Sequence, residues 1–293
     1  MTKYSIDQFS QITGITKFVL RTWENRYGFL KAQRTDTKIR FYTDELLVRA
    51  LNCNYLLENG YKISVISKLS HDEISSKVDE IKNSTEDNSI ESYYIVKLIE
   101  SALDFDSNLF NSTYDKGVQE LGILKFYKSV LLVTFSKIGI FWLTNRIAPS
   151  QEHFLSELVK QKIGAAADSV SNDETKKDSW LLFLPENEFH EIGLLFAKFL
   201  LIKNGFEVVY LGSNVPYGSL LELAEKKHID NVLFFSVSNT SKSNLDFTIN
   251  YLNKSFPKSK HFLVANSLDI NFLTKDHNIT ILDNLDDFVN IIS

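Results

Sequence analysis

The sequence predicts a multidomain α and α/β chain: a winged helix-turn-helix, then a helical bundle, then a doubly wound parallel sheet. Three observations predict it. A short, basic helical pattern opens the chain and contains the run Leu20-Arg21-Thr22-Trp23-Glu24-Asn25-Arg26-Tyr27-Gly28. From Ile90 to about Val170 apolar residues recur at helical spacing, with no proline until Pro149. From Ser179 short apolar runs alternate with helical patterns, as parallel βα units require. At 293 residues the chain can form two or three domains with cores, expected over 1–72, 88–171 and 178–293.

Residues 4–13 read as a short helix with Ile6, Phe9 and Ile12 on one face, broken by Gly14. A second helix runs from about Thr16, a fitting N-cap, to Tyr27, and Gly28 ends it. Residues 31–42 carry Lys31, Arg34, Lys38 and Arg40, then Phe41-Tyr42, around a polar centre; they read as a hairpin, or wing. Thr43-Asp44-Glu45 starts a helix that ends near Asn59-Gly60, and Ser64 is expected to cap another turn or two to Leu69. The polar stretch 72–89 reads as a helix tail and linker. The next segment reads as a bundle of about four helices, and Ser171 to Lys177 as a second linker. Strands are expected at Trp180–Leu184, Val208–Leu211, Val232–Phe235 and His261–Val264, separated by helices over 190–203, 216–228 and 243–255. Ligands of such sheets sit at the C-terminal strand ends.

Apolar residues at 44% and charged residues at 24% describe a soluble protein. No run approaches 18 apolar residues, and Met1-Thr2-Lys3-Tyr4-Ser5-Ile6 has no apolar signal core, so neither a membrane span nor secretion is expected. Cys53 is the only cysteine, which excludes an internal disulfide, fits a reducing cytoplasm and predicts a buried small hydrophobe. The net charge of −5 is unevenly spread: residues 1–70 hold 11 Lys/Arg and 6 Asp/Glu, leaving 21 of the 32 basic and 31 of the 37 acidic residues to the remainder. Basic charge concentrated in one small domain predicts phosphate binding there, while the acidic remainder is kept off DNA.

In a winged helix-turn-helix the second helix enters the major groove and wing arginines hold phosphates. Arg21 and Arg26 are the candidates for groove and phosphate, Arg34 and Arg40 for the wing, and Tyr27 and Tyr42 as phosphate donors; Thr16 starts the reading helix. Arg21 equally fits a surface pair with Glu24, and Trp23 is expected in the core. In order along about 70 residues, Tyr4-Ser5-Ile6, Thr13-Gly14-Ile15-Thr16, Leu20-Arg21-Thr22-Trp23-Glu24, Arg34 and Arg40-Phe41-Tyr42 resemble the MerR family of regulators. That resemblance implies double-stranded operators of two-fold symmetry and an effector domain after the DNA-binding one.

Glu188-x-His190-x-x-Gly193 lies between a strand end and a helix start. Neutral imidazole suits a borderline transition metal, a carboxylate two residues earlier can accept its other N–H, and glycine lets backbone pass close to a bulky ligand. A surface histidine at a helix N-terminus fits the same residues equally well. The segment resembles the cobalamin-binding domain family, a Rossmann-like fold whose loop reads Asp-x-His-x-x-Gly, with Glu188 in place of the aspartate. Leu211-Gly212-x-Asn214-x-Pro216 and Ser236-Val237-Ser238 fall where that family has its second strand end and its serine turn. By resemblance His190 ligates cobalt, and Ser236 and Ser238 lie at the cofactor, Ser236 on its nucleotide tail. Ala265-Asn266 stands where the family has Gly-Gly, which narrows the groove and predicts weakened or lost binding.

Trp142, followed after nine residues by Glu152-His153, resembles the light-sensing MerR-type regulators that bind adenosylcobalamin (the CarH/LitR group). The resemblance implies that the bundle caps the cofactor, with Trp142 over it and Glu152 and His153 lining the adenosyl pocket. Where light-responsive members carry a histidine after the Trp, this chain has Leu143, which argues against a stable bis-histidine photoproduct.

The reading that follows is a cytoplasmic DNA-binding regulator, a repressor rather than an enzyme. Adenosylcobalamin and light would control its oligomerisation, as dimer or tetramer, and its operator binding, and a protein antagonist is a further expected partner. Two alternatives remain: a regulator of the same fold that has lost the corrinoid and answers to a protein partner, and the cobalamin carrier domain of a methyltransferase or mutase.

Overall fold

A computed structural model describes residues 3–35, 37–82, 90–143, 149–170, 178–238, 242–265 and 279–293, the side chains of 140–143, 149 and 242 excepted. The chain divides into two compact units, Met1–Leu158 and Val159–Ser293.

The first unit opens with α1 (Ile6–Thr13) and α2 (Lys17–Tyr27). The helix expected from residue 4 begins at Ile6 because Tyr4 is a β-bridge partner of Tyr42, and Ser5 caps α1 in a reciprocal box with Gln8. Gly14 and Gly28 end the two helices at φ 75° and 62°, a left-handed turn that suits glycine. β1 (Gln33–Arg34) and β2 (Arg40–Phe41) pair antiparallel as the wing. Tyr42 then stacks on Phe9 with ring centroids 4.1 Å apart, which fastens the wing base to α1.

α3 (Asp44–Glu58) starts at the Thr43 cap and buries Cys53, whose thiol burial pushes up to about 12. Two expectations need correction here. Ser64 is not a cap: α4 (Ile63–Ile66) starts at Lys62 with no side-chain cap. The polar stretch after it is no mere tail, because α5 (His71–Lys82) is a 12-residue helix. Ser70 and Glu73 exchange hydrogen bonds of 2.7 and 3.2 Å at its start, and Ile74 and Val78 supply just two apolar anchors, both buried.

The bundle consists of α6 (Ile90–Leu103), α7 (Ser107–Leu121), the run α8 (Ile123–Phe126), a π-helical segment (Tyr127–Leu131) and α9 (Leu132–Leu143), and α10 (Pro149–Asp168). Its core includes Tyr94, Phe110, Phe126 and Val130, all fully buried. It packs on the N-terminal helices, among other contacts, through α6 and α9. Tyr93 of α6 faces Tyr55 of α3 at 6.0 Å, and Lys137 of α9 donates to the Ile12 carbonyl at 3.1 Å. Burial lowers the Lys137 pKa, and Glu58 opposes that shift.

The second unit is a five-stranded parallel sheet of order β4-β3-β5-β6-β7, with β3 (Ser179–Pro185), β4 (Glu207–Val215), β5 (Asn231–Ser236), β6 (Lys260–Ala265) and β7 (Ile279–Ile281). α11 (Glu191–Lys203), α12 (Tyr217–Lys226), α13 (Lys242–Ser255) and α14 (Leu285–Ile292) accompany it. Leu181 and Phe183 point to one face with Leu220, Leu245 and Ile249, while Trp180 stacks on Phe262 and meets Phe288 on the other. Burial on both faces explains the unbroken apolar strands. β7 and α14 extend the sheet beyond the four strands read from sequence. Among the described residues no helix is long and apolar enough to cross a membrane.

Gly117 of α7 gives a direct test of bundle packing. A Cβ there would lie 2.2 Å from the Phe126 ring. Gly→Ala in a helix ordinarily gains about 0.5–1 kcal/mol, but overpacking costs about 1–3 kcal/mol and wins here. Gly117→Ala should therefore lower the thermal midpoint of the intact protein in calorimetry, whereas Gly139→Ala, with nothing within 4 Å, should not.

Candidate nucleic-acid interface and ligand site

Thr16 caps α2 by accepting from the Val19 amide at 3.3 Å, so its role is to start the helix. Arg21 is exposed on α2, Arg26 lies over the Tyr27 ring at 5.4 Å, and Arg34 is exposed on β1. Arg40, not Arg21, takes Glu24, at 3.3 Å. That ion pair joins the wing to the reading helix, so Arg40 reaches a phosphate only while holding, or after leaving, Glu24. Tyr42 is corrected outright: it is 0% exposed and stacked in the core, with burial raising its pKa, and it cannot donate to a phosphate. Trp23 is buried as expected. Phe18 and Asn25, exposed on α2, were not singled out from sequence, where a phenylalanine in a helical pattern reads as core.

In the second unit, β3 ends at Pro185 and the chain turns through Asn187 into α11. Glu188 in this turn is 3% exposed. Its carboxylate accepts from the His190 ring Nδ1 at 2.6 Å, and from the amides of Phe189 at 2.9 Å and His190 at 3.1 Å. From the turn after β5 it accepts the amides of Val237 at 2.9 Å and Ser238 at 2.8 Å, and the Ser238 hydroxyl at 2.9 Å. His190 is largely exposed, beside Phe189 at 64% exposure. With Nδ1 directed at Glu188, a metal at this ring would be met through Nε2.

Ser238 thus positions the carboxylate. Ser236, at the end of β5, lines a cavity of about 250 Å³ with Pro185, Asn187, Tyr217, Asn244 and Thr248. Gly193 has a different reason from the one read in sequence. A Cβ there would lie 2.6 Å from the Phe235 ring, so the glycine lets α11 pack against β5. Asn187 was not anticipated, and it partners Asn214 of the second strand-end motif. Both have positive φ, and the Asn187 amide donates to the Asn214 side chain at 2.9 Å, locking the ends of β3 and β4 together.

In the other unit Trp142 and Leu143 end α9, their side chains outside the described residues. Glu152, in the first turn of α10, accepts from Ser156 at 2.5 Å and lies 3.2 Å from the exposed His153 ring. Ala265 ends β6, and Asn266 lies outside the described residues.

Burial alone would raise the Glu188 pKa, but the hydrogen bonds from His190 and Ser238 outweigh it and hold the carboxyl at about 2. A depressed folded-state pKa stabilises fully above the ordinary value of 4.5, and the contribution, roughly 3 kcal/mol, is lost as pH falls toward 2. Urea unfolding of the ligand-free protein should show a steep acid loss that Glu188→Gln flattens, the two converging at low pH.

Residues 4–73 match the model of the MerR HTH family of regulatory proteins. The chain is similar to the HTH-type transcriptional repressor CarH of Myxococcus xanthus, with 24% identity over 87% of this chain and 86% of that one. It is also similar to the repressor CarA of the same organism, with 23% identity over 73% of this chain and 70% of that one. Among solved structures, the monomethylamine corrinoid protein of Methanosarcina barkeri shares the fold at TM-score 0.50 and 16% identity, over 67% of this chain and 94% of that one. With residues 4–73 matching the MerR helix-turn-helix model, the chain is a DNA-binding regulator, and it shares its fold in part with a corrinoid protein.

Proposed function

We propose that the protein is a transcriptional repressor whose oligomerisation and operator binding are controlled by adenosylcobalamin and light. The observation that carries this is the buried Glu188 carboxylate holding the exposed His190 ring, in a chain that begins with a DNA-reading head. When bound, adenosylcobalamin supplies a cobalt ion within a flat macrocycle and a cobalt–carbon bond that light breaks.

The residues present fit that group. Glu188 accepts at Nδ1, which fixes the tautomer, raises the basicity of Nε2 and offers it to cobalt. Exposed Phe189 provides apolar surface for a flat ring to cover. The cavity at Ser236, with the Thr248 hydroxyl and apolar walls from Tyr217 and Phe247, suits a nucleotide tail. Trp142, Glu152 and His153 are the proposed residues at the adenosyl group. The working partners are a two-fold operator and further copies of the chain, with a protein antagonist as a third, in the cytoplasm. Linkage requires that the cofactor favour the DNA-competent assembly; its photolysis then lowers affinity for DNA.

The test is an absorption spectrum after dark incubation with adenosylcobalamin and desalting, repeated after green light, with a DNA mobility shift on both samples. The wild type should retain a corrin band that changes on illumination and release its operator in step. His190→Ala should lose the ligand-dependent band shift, and Glu188→Gln should bind cobalamin about 10–100-fold more weakly. A colourless wild type that still binds DNA would instead support a corrinoid-free regulator answering to a protein. A coloured protein that selects no DNA would support a carrier domain.

A further inference from the structure

Among the described residues the most exposed large apolar side chain is Phe18, 79% exposed in the first turn of α2. Residues spaced three, four and seven apart share one helix face, which aligns Phe18, Arg21, Thr22 and Asn25. The opposite face holds Leu20 and Trp23, 1% and 9% exposed, against the core of the head. Arg21 and Asn25 are exposed, and the Thr22 hydroxyl donates back to the Phe18 carbonyl at 2.9 Å. Packing among the described residues gives no reason for an aromatic ring at this position.

The surrounding charge identifies what covers it. Arg21, Arg26, Lys31, Arg34 and Lys38 are all exposed in the same small head, whose first 70 residues carry five more basic than acidic residues. A polyanion is the complement of that surface, and a single helix fits the major groove of duplex DNA. From Phe18 to Asn25 the helix rises about 10 Å, close to three base-pair steps of about 3.4 Å.

We infer that α2 reads a run of four base pairs through three chemistries: Phe18 against the C5-methyl of thymine at one end, Arg21 on the O6/N7 edge of guanine within it, and Asn25 on the N6/N7 edge of adenine at the other end. The inference rests on the DNA-binding reading and adds the bases. Phe18 then sets specificity through one methyl group, and the phosphates, held by the basic residues around it, contribute affinity without sequence.

Full-length protein, in the dark with adenosylcobalamin, is used to select duplexes from a random pool. Each thymine of the selected site is then replaced singly by deoxyuridine, which removes only the methyl. For the wild type, one thymine per half-site should matter, its replacement weakening binding about fourfold. Phe18→Ala should bind the selected site roughly tenfold more weakly, with unchanged thermal midpoint, and be indifferent to that same replacement. Asn25→Ala should lose discrimination at the adenine. A wild type that selects a site but ignores every thymine replacement overturns the assignment of Phe18, as does Phe18→Ala that keeps the full loss at the same thymine. A wild type that selects no sequence removes the DNA-binding reading and this inference with it.

Discussion

The second unit is organised around one buried charge. A carboxylate 3% exposed, like Glu188, costs several kcal/mol in desolvation unless donors replace its water. Here the donors come from two separate turns: the backbone and ring of Phe189 and His190 after β3, and Val237 and Ser238 after β5. The Glu188 carbonyl in turn accepts from Asn214 at 3.1 Å, which adds the end of β4. Three neighbouring strand ends are therefore tied to one residue. The sheet supplies rigidity, and the charge transmits it to an exposed imidazole. Glutamate suits this task because its extra methylene lets the carboxyl reach the turn after β5 while its own backbone stays beside β4.

The head uses apolar contact for the same purpose. Tyr4 and Tyr42 exchange backbone hydrogen bonds of 2.8 Å, and the Tyr42 ring lies on Phe9, so the wing is anchored at its base. Arg40 and Glu24 then tie the wing to α2, with the carboxylate side chain only 11% accessible. A partly shielded pair of this kind is stronger than a fully exposed one, which contributes about 0–1 kcal/mol. Fixing wing and reading helix together before DNA arrives reduces the ordering cost of binding. That explains why one predicted phosphate ligand is a strut and another, Tyr42, is core.

Much of this was legible in the sequence. Period and caps placed α1, α2, the wing, α3 and four of the five strands, because Gly14, Thr16, Gly28 and Thr43 each carry a local conformational preference that tertiary packing did not override. α5 escaped because only Ile74 and Val78 of its residues are buried, too few for a clear apolar period. β7 escaped because three residues, Ile279–Ile281, are too short a run to stand out. At the ligand site the pairing of Glu188 with His190 followed from spacing, since two residues across a tight turn bring the groups together. The partners of Gly193 and Asn214 could not follow from spacing: Phe235 and Asn187 meet them only through sheet register and strand-end geometry.

The first unit also constrains how a signal could reach DNA. α9 carries Lys137 in its middle and Trp142 near its end, five residues or roughly 7.5 Å apart along the axis. Lys137 holds the Ile12 carbonyl, and Asn54 of α3 holds the Thr13 carbonyl, so the last turn of α1 is pinned from two helices. The next residues are Gly14 and Ile15, the turn that sets the angle of α2. An α-helix is stiff over two turns, so a shift at the Trp142 end of α9 is felt at Lys137 and then at the start of the reading helix. The adjoining π-helical segment, Tyr127–Leu131, interrupts the regular α-helical pattern of the same run. If Trp142 meets a ligand, the path from that contact to the DNA-reading helix is one helix and one hydrogen bond long. Coupling would then depend on whether α9 has two packed positions, because a rigid contact with a single position transmits nothing.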